Sequence, residues 1–194
     1  MSDFWLKTAF LLGIVAQIVI RSPYNRLRQQ NRVTTDRVTM QEMVLLWLLL
    51  LGLVLSLIYI FTDWLAFADY DLPPWLGVVG IVILLLALWL FWRSHVDLGR
   101  NWSPTLQIIE QHTLVTNGVY HYIRHPMYAA QWLFVLAQIL LQQNWIAGPA
   151  NLLLFIPFYF LRVPQEEQMM LQQFGAAYQT YMAHTGRVVP RRGR

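Results

Sequence analysis

The sequence predicts an all-α fold, a polytopic membrane helical bundle of about five transmembrane helices. Of its 194 residues, 57% are hydrophobic and only 12% are charged, whereas a soluble domain carries about 25% charged residues. The apolar residues are gathered in runs that approach the length of about 20 residues that a helix needs to cross a bilayer. The lack of cysteine excludes a disulfide scaffold and thiolate metal sites, and the 14% of aromatic residues excludes a disordered chain.

The predicted spans are five apolar runs, at residues 4–20, 44–61, 75–92, 128–141 and 145–161. The first run has a positive charge near its start, as a signal peptide does, but no small-residue cleavage site follows it, so we expect it to be retained. The last two runs are short, and the tetrapeptide Gln-Gln-Asn-Trp at 142–145, where they meet, predicts the turn of a helical hairpin. Pro157 frees backbone groups that only protein can satisfy inside a membrane, so the hairpin should pack against other helices.

Charge distribution predicts the orientation of these spans. Every arginine lies in segments that alternate spanning predicts on one side, namely 21–43, 93–127 and 162–194, whereas loop 62–74 carries acidic residues. Because arginine and lysine concentrate in cytoplasmic loops, we expect the N-terminus outside and the C-terminus inside. The net charge of +4 and the pI near 9.6 then indicate anionic lipid headgroups and not nucleic acid. We expect the chain to divide into an N-terminal membrane region of three spans, 1–92, and a catalytic region, 93–194.

The first polar segment of that second region ends in a predicted turn and a predicted helix start. Asn117-Gly118 is typical of a turn, and Pro126 suits the first position of the fourth span, which makes His125 its N-cap. Free backbone N–H groups and the helix dipole favour an anion at such a place. Alternatively, Arg124-His125-Pro126 simply begins a helix at the membrane interface.

The second polar segment contains Arg162, Pro164, Glu166 and Glu167. Pro164 predicts the start of a new helix, and acidic residues are favoured in a first turn. Because adjacent residues do not share a helix face, we expect one of the two glutamates to point into any site. Arg162 either anchors the end of the fifth span at the interface or holds an anion that arrives from the lipid.

Other chemistries have less support in the sequence. His121 and His125 have a spacing that suits two metal ligands on one helix face, but Pro126 interrupts that helix, so we predict no metal site. Neither Gly-x-Ser-x-Gly nor Gly-x-Gly-x-x-Gly occurs, which argues against a serine nucleophile elbow and a Rossmann cofactor site.

Four motifs occur in order in the C-terminal half. They are His-Thr-Leu-Val-Thr-x-Gly-Val-Tyr at 112–120, Arg-His-Pro-x-Tyr at 124–128, Arg162 followed by Glu166-Glu167, and Phe174-Gly175-x-x-Tyr178-x-x-Tyr181. In this combination the chain resembles the isoprenylcysteine carboxyl methyltransferases of membranes. One departure is Ala129-Ala130, where members of that family often have a glycine.

The resemblance implies an enzyme that binds S-adenosylmethionine at the cytoplasmic face and methylates the carboxylate of a lipophilic, prenylcysteine-like substrate from the bilayer, giving a methyl ester. By the same resemblance, Arg162 faces the substrate. The residues implied for the cofactor are His112, Leu114, Val115, Gly118, Tyr120, His125, Pro126, Met127, Tyr128, Glu166 and Glu167. Two alternatives stay open: methylation of a phospholipid or other lipid amine, whose enzymes look similar at Arg-His-Pro, and a non-catalytic membrane protein.

Overall fold

The computed structural model describes residues 3–29, 33–36, 39–103, 107–109 and 113–191. Within them the protein is a helical bundle, as predicted. Its helices are α1 (Asp3–Gln29), α2 (Met40–Phe61), α3 (Pro74–Leu98), α4 (Pro126–Leu141), α5 (Ala147–Phe174) and α6 (Ala176–His184). Two short strands, β1 (Val33–Asp36) and β2 (Gln107–Ile109), pair antiparallel between the ends of the helices.

Three helices of the described chain are long and apolar enough to cross a membrane, namely α1, α2 and α3 with the turn that follows it. The fourth, α4, has 16 residues and is about 24 Å long, less than the roughly 30 Å of a hydrocarbon core. Three of the five predicted spans are therefore supported by length and composition. Spanning by the α4–α5 hairpin stays a prediction.

Two hydrophobic clusters hold the bundle together. One joins α1, α3 and α4 through Phe10, Leu84 and Phe134, all of them buried. The other joins α2, α4 and α5 through Leu45, Val135 and other residues. Many large apolar side chains on the outer surface are exposed, and such a surface is typical of a protein that faces lipid.

The predicted turn of the hairpin is present between α4 and α5. The side chain of Asn144 accepts hydrogen bonds from the backbone N–H groups of Ile146 (3.0 Å) and Ala147 (2.9 Å). These bonds satisfy donors that a helix start leaves without a partner. The amide group of Asn144 also donates to Asp69 (2.7 Å), which closes this end of the bundle with the loop after α2.

The prediction that Pro164 begins a new helix is wrong. Helix α5 continues from Ala147 to Phe174 through Pro157 and Pro164, and it ends at Gly175, whose φ is +51°. A proline removes one intrahelical hydrogen bond and crowds the preceding turn. Here packing of α5 against α2 and α4 outweighs that cost, and local sequence rules do not see such packing.

Candidate active site

A cavity of about 520 Å³ lies at the end of the bundle where α4 begins, within the range of about 300–1,000 Å³ that small-molecule sites occupy. One part is lined by α1, α2, α4 and α5 and is mostly apolar, with Ile14, Leu46, Leu49, Leu50, Leu53, Phe134, Val135 and Phe155 beside the polar residues Gln17, Arg21, Gln131 and Asn151. The other part is polar and is lined by Thr113, Arg124, His125, Arg162, Glu166, Tyr120, Tyr178 and Tyr181, with Leu114 and Val115. The cavity therefore draws on both halves of the chain.

Glu167 is the buried centre of an ion-pair cluster beside this cavity. Its carboxylate accepts hydrogen bonds from Arg124 (3.1 and 3.2 Å) and from Arg187 (2.6 to 3.1 Å). Burial would raise the pKa of Glu167, but hydrogen bonds from His125, Arg187 and Arg124 outweigh burial and lower the pKa to about 2. The cluster ties α5 to the start of α4 and to the chain after α6.

His125 lies between the two glutamates of α5. Its Nε2 is 3.3 Å from Glu167 Oε1, and its Nδ1 is 3.6 Å from Glu166 Oε1. Both ring nitrogens face a carboxylate, so only the doubly protonated imidazolium donates to both. Burial opposes that charge, but the hydrogen bonds and charges of Glu166 and Glu167 outweigh it and raise the pKa of His125 above its usual 6.5.

Glu166 points to the cavity, whereas Glu167 points away from it. Glu166 is one of the lining residues, and its side chain is 30% exposed against 5% for Glu167. Its Oε2 accepts a hydrogen bond of 2.8 Å from the hydroxyl group of Tyr128. Of the two adjacent glutamates, Glu166 is therefore the one that lines the cavity, and its role there stays a prediction.

Arg162 lies one helical turn before Glu166, where the apolar and polar parts of the cavity meet. Its guanidinium forms an ion pair with Glu42 of α2, and both side chains are buried. The guanidinium also lies 5.3 Å from the ring centroid of Phe158, a cation–π contact. Arg162 therefore joins α2 to α5 at the wall of the cavity.

The segment before α4 is held against α3. Thr113 and Asn101 exchange two hydrogen bonds of 3.0 and 3.1 Å. The carboxylate of Asp97 accepts from the backbone N–H group of Val119 (2.9 Å). Gly118 has a φ of +57°, and a Cβ atom at this position would collide with Asp97, so glycine is required for both reasons.

Most residues that the sequence singled out meet at this one place. The cavity is lined by Leu114, Val115, Tyr120, His125, Met127, Tyr128, Arg162 and Glu166. Gly118, Pro126 and Glu167 do not line it: they shape the turn, begin α4 as its first residue and anchor the ion-pair cluster, respectively. His112 lies outside the described residues.

The sequence analysis did not identify two charged residues of this region: Glu42, which pairs with Arg162, and Arg21, which lines the cavity. Both are charged residues in otherwise apolar helices, and this signal by itself marks a functional position in a membrane protein. Arg21 directly follows the first predicted span and Glu42 lies just before the second. Charges are common at such interface positions, so neither residue stood out as functional. In the part of the chain that the structure describes, no group of three or more metal-ligating side chains comes together.

Comparison with known proteins gives matches that agree with one another. The model of the isoprenylcysteine carboxyl methyltransferase (ICMT) family matches residues 78–172. Protein-S-isoprenylcysteine O-methyltransferase A of Arabidopsis thaliana is 25% identical over 157 residues, which are 80% of each chain. The protein-S-isoprenylcysteine O-methyltransferase of Tribolium castaneum is 30% identical over 118 residues, 60% of this chain and 42% of that protein.

The fold is similar to a solved structure as well, that of the eukaryotic intramembrane Ras methyltransferase ICMT. The TM-score is 0.56 at 22% identity, and the match covers 96% of this chain and 74% of that one. The matches in sequence and fold confirm the resemblance that the motifs indicate.

Proposed function

Because this chain is similar to the isoprenylcysteine carboxyl methyltransferases over most of its length, we propose that it transfers a methyl group from S-adenosylmethionine to the carboxylate of a lipophilic, prenylcysteine-like substrate. The product is a methyl ester. The observation that carries the proposal is the two-part cavity, apolar between α1, α2, α4 and α5 and charged beyond Arg162. Such a cavity suits a charged, water-soluble ligand and an acceptor with an apolar tail at the same time.

The residues of the polar part fit the cofactor. When bound, S-adenosylmethionine supplies an electrophilic methyl group on a positively charged sulfonium. Glu166 offers a carboxylate to positive charge, and Leu114, Val115 and Tyr120 offer apolar and aromatic surface to a nucleoside. The hydroxyl group of Tyr128 and the imidazolium of His125 hold Glu166 in place. We therefore propose that Glu166 contacts the cofactor and that Glu167, on the side away from the cavity, supports Glu166 through His125.

Arg162 orients the acceptor. An α-carboxylate titrates near about 3.5 and is ionised at neutral pH, so the reaction needs no general base. Holding the nucleophile in line with the methyl group contributes about 7–11 kcal/mol in comparable reactions. Because Glu42 shares the charge of Arg162, the arginine steers the acceptor carboxylate without pairing with it so tightly that it weakens the nucleophile.

The apolar part of the cavity is proposed to receive the lipid tail. It extends along α5 from Arg162 to Asn151, which is about 16 Å of helix at about 1.5 Å per residue. Its walls are leucines of α2 and aromatic residues of α4 and α5. We propose that the site faces the cytoplasm, because the arginine-rich segments lie at this end of the bundle and arginine is concentrated on the cytoplasmic side of membrane proteins.

Two measurements test the proposed function. The first is titration of the detergent-solubilised protein with S-adenosylhomocysteine, with saturable binding as the expected result; a lack of binding would favour a non-catalytic membrane protein. The second supplies membranes with methyl-labelled cofactor. Label in base-labile ester on prenylcysteine supports the proposal, whereas base-stable label in lipid would support methylation of a lipid amine.

Arg162→Ala separates the two halves of the site. We expect it to reduce turnover at least tenfold while the affinity for S-adenosylhomocysteine changes less than twofold. The matched variant Glu166→Gln should do the reverse and lower cofactor affinity at least tenfold. Equal losses of both quantities in both variants would contradict the assignment of the two residues.

A further inference from the structure

Three arginines line the cavity, and they differ in their partners. Arg124 forms an ion pair with Glu167, and Arg162 forms one with Glu42. Arg21 of α1 also lines the cavity, and the described part of the chain places no carboxylate within ion-pair distance of it. Its positive charge is therefore not neutralised by the protein described.

Aromatic rings hold the guanidinium of Arg21 in place. Its Cζ atom lies 5.2 Å from the ring centroid of Phe91 and 5.6 Å from that of Trp102. Cation–π contacts of this kind attract the positive charge to the ring faces without neutralising it. The Nε atom of Arg21 is buried and has no hydrogen-bond partner among the described residues.

A second unsatisfied donor lies one helical turn earlier on the same face of α1. The Oε1 atom of Gln17 accepts from Gln131 of α4 at 3.5 Å. The Nε2 atom of Gln17 is buried without a partner in the described chain, and both glutamines line the cavity. Arg21 and Gln17 thus contribute two buried donors from successive turns of α1 to the wall of the same cavity.

Burying these donors without a ligand is unfavourable. A cation in an apolar part of a membrane protein is costly to bury unless it is paired, and the charge of Arg162 repels that of Arg21. An anion bound between the two arginines would relieve both penalties. Ile14, one turn before Gln17 on α1, lines the apolar part, so this anion lies on the acceptor side of the cavity.

We infer that Arg21, together with Gln17, forms a second binding point for the carboxylate of the prenylcysteine-like acceptor, opposite Arg162. The inference rests on the proposed function and names a further residue of that site. Arg162 on α5, whose charge is shared with Glu42, orients the acceptor carboxylate. Arg21 on α1 supplies the positive charge that favours transfer of this carboxylate from water into the site.

The test compares S-farnesyl-N-acetylcysteine, an acceptor with a free carboxylate, with its uncharged methyl ester, which is one methyl group larger; each is titrated into protein saturated with S-adenosylhomocysteine. We expect Arg21→Gln to lower the affinity for the acid at least tenfold, while affinities for the ester and for S-adenosylhomocysteine change less than twofold. Arg21→Lys should restore part of the loss. Arg26→Gln, at an exposed position of the same helix, is the control and should match the original protein.

Two results would overturn the role of Arg21 and leave the proposed function intact. One is an equal loss for acid and ester in Arg21→Gln, which would mean that Arg21 only supports packing. The other is an unchanged preference for the acid. If the original protein binds neither acceptor nor S-adenosylhomocysteine, the proposed function and this inference fail together.

Discussion

The two ends of the α4–α5 hairpin both bury polar groups, but of different kinds. At the turn, Gln138 donates to Ser56 (2.8 Å) and to the carbonyl of Ala147 (2.7 Å) and accepts from Asn151 (3.0 Å). These groups are neutral amides and a hydroxyl. At the other end the buried groups are carboxylates, guanidiniums and an imidazole, arranged around a cavity.

This difference separates polar groups that stabilise the fold from those that bind. In a neutral network whose members hydrogen-bond to one another, the polar groups fix the helices in place and leave no donor or acceptor for a ligand. Charged groups cost more to bury and repay that cost only when each has a partner. At the charged end, Arg21 has no carboxylate partner among the described residues and Glu166 is partly exposed, so a ligand would gain more there than at the turn.

The largest expected effect comes from the centre of the charged end. Glu167→Gln leaves Arg124 and Arg187 without their carboxylate, which should cost about 3 kcal/mol of stability and lower the thermal midpoint in detergent by roughly 6–12 °C. Glu166→Gln, at the neighbouring position, should change the midpoint by less than half as much. Equal shifts would mean that the two glutamates do not divide support from binding.

A smaller part of that stability should depend on pH. The pKa of Glu167 falls from 4.5 to about 2 on folding, so its contribution is present above about pH 4.5 and is lost as the pH falls toward 2. The pKa of His125 is raised above 6.5, so its contribution is complete below pH 6.5 and is lost at higher pH. Thermal midpoints measured from pH 2 to 9 should therefore be highest between these limits.

Two variants test which group causes the fall in thermal midpoint at low pH (the acid limb) and which causes the fall at high pH (the alkaline limb). Glu167→Gln should flatten the acid limb, and His125→Gln should flatten the alkaline limb. A profile that keeps both limbs in both variants would show that other groups control it.

The neutral end should respond to mutation without loss of function. Gln138→Leu removes the hydrogen bonds that Gln138 makes with Ser56, Asn151 and the carbonyl of Ala147, which should cost about 2 kcal/mol. Methyl transfer per folded molecule should stay within twofold of the original. Gln173→Leu, at an exposed position of α5, is the control, and a loss of transfer specific to Gln138→Leu would show that the two ends are coupled.

The smallest effect is expected at two glycines, one at the end of α3 and one in the turn before α4. Gly99 and Gly118 both have positive φ, +55° and +57°, so alanine at either should cost about 1 kcal/mol. A new Cβ atom at Gly118 would collide with Asp97, whereas no atom of the described residues lies within 4 Å of a Cβ atom at Gly99. The thermal midpoint of Gly118→Ala should therefore fall further than that of Gly99→Ala, and equal falls would exclude a contribution from Asp97.

Local rules predicted the parts of this molecule that depend on neighbours in sequence. The turn between α4 and α5, His125 as N-cap, Pro126 as first helical residue and the positive φ of Gly118 all follow from the residues concerned. The motifs then brought His125 and the two glutamates to one site. What failed was the effect of Pro164, because packing against α2 decides it.

Pairing between distant residues could not be predicted in the same way. Glu42 and Arg162 are 120 positions apart, and nothing in either local sequence names the other. The choice of Glu166 over Glu167 as the cavity residue depends on the rotation of α5, which the position of Arg124 and Arg187 fixes. The role inferred for Arg21 depends on the structure as well, because it rests on Glu167 and Glu42 being paired with Arg124 and Arg162.

The unbroken course of α5 has a consequence for how the enzyme would respond to its bilayer. Arg162 and Glu166 are one turn apart on a single rod, about 6 Å along its axis. A thicker or thinner bilayer tilts helices, but it would carry both residues together and keep their spacing. We therefore expect lipid composition to change how readily acceptors enter and leave, and to have little influence on the alignment of the reacting groups once both are bound.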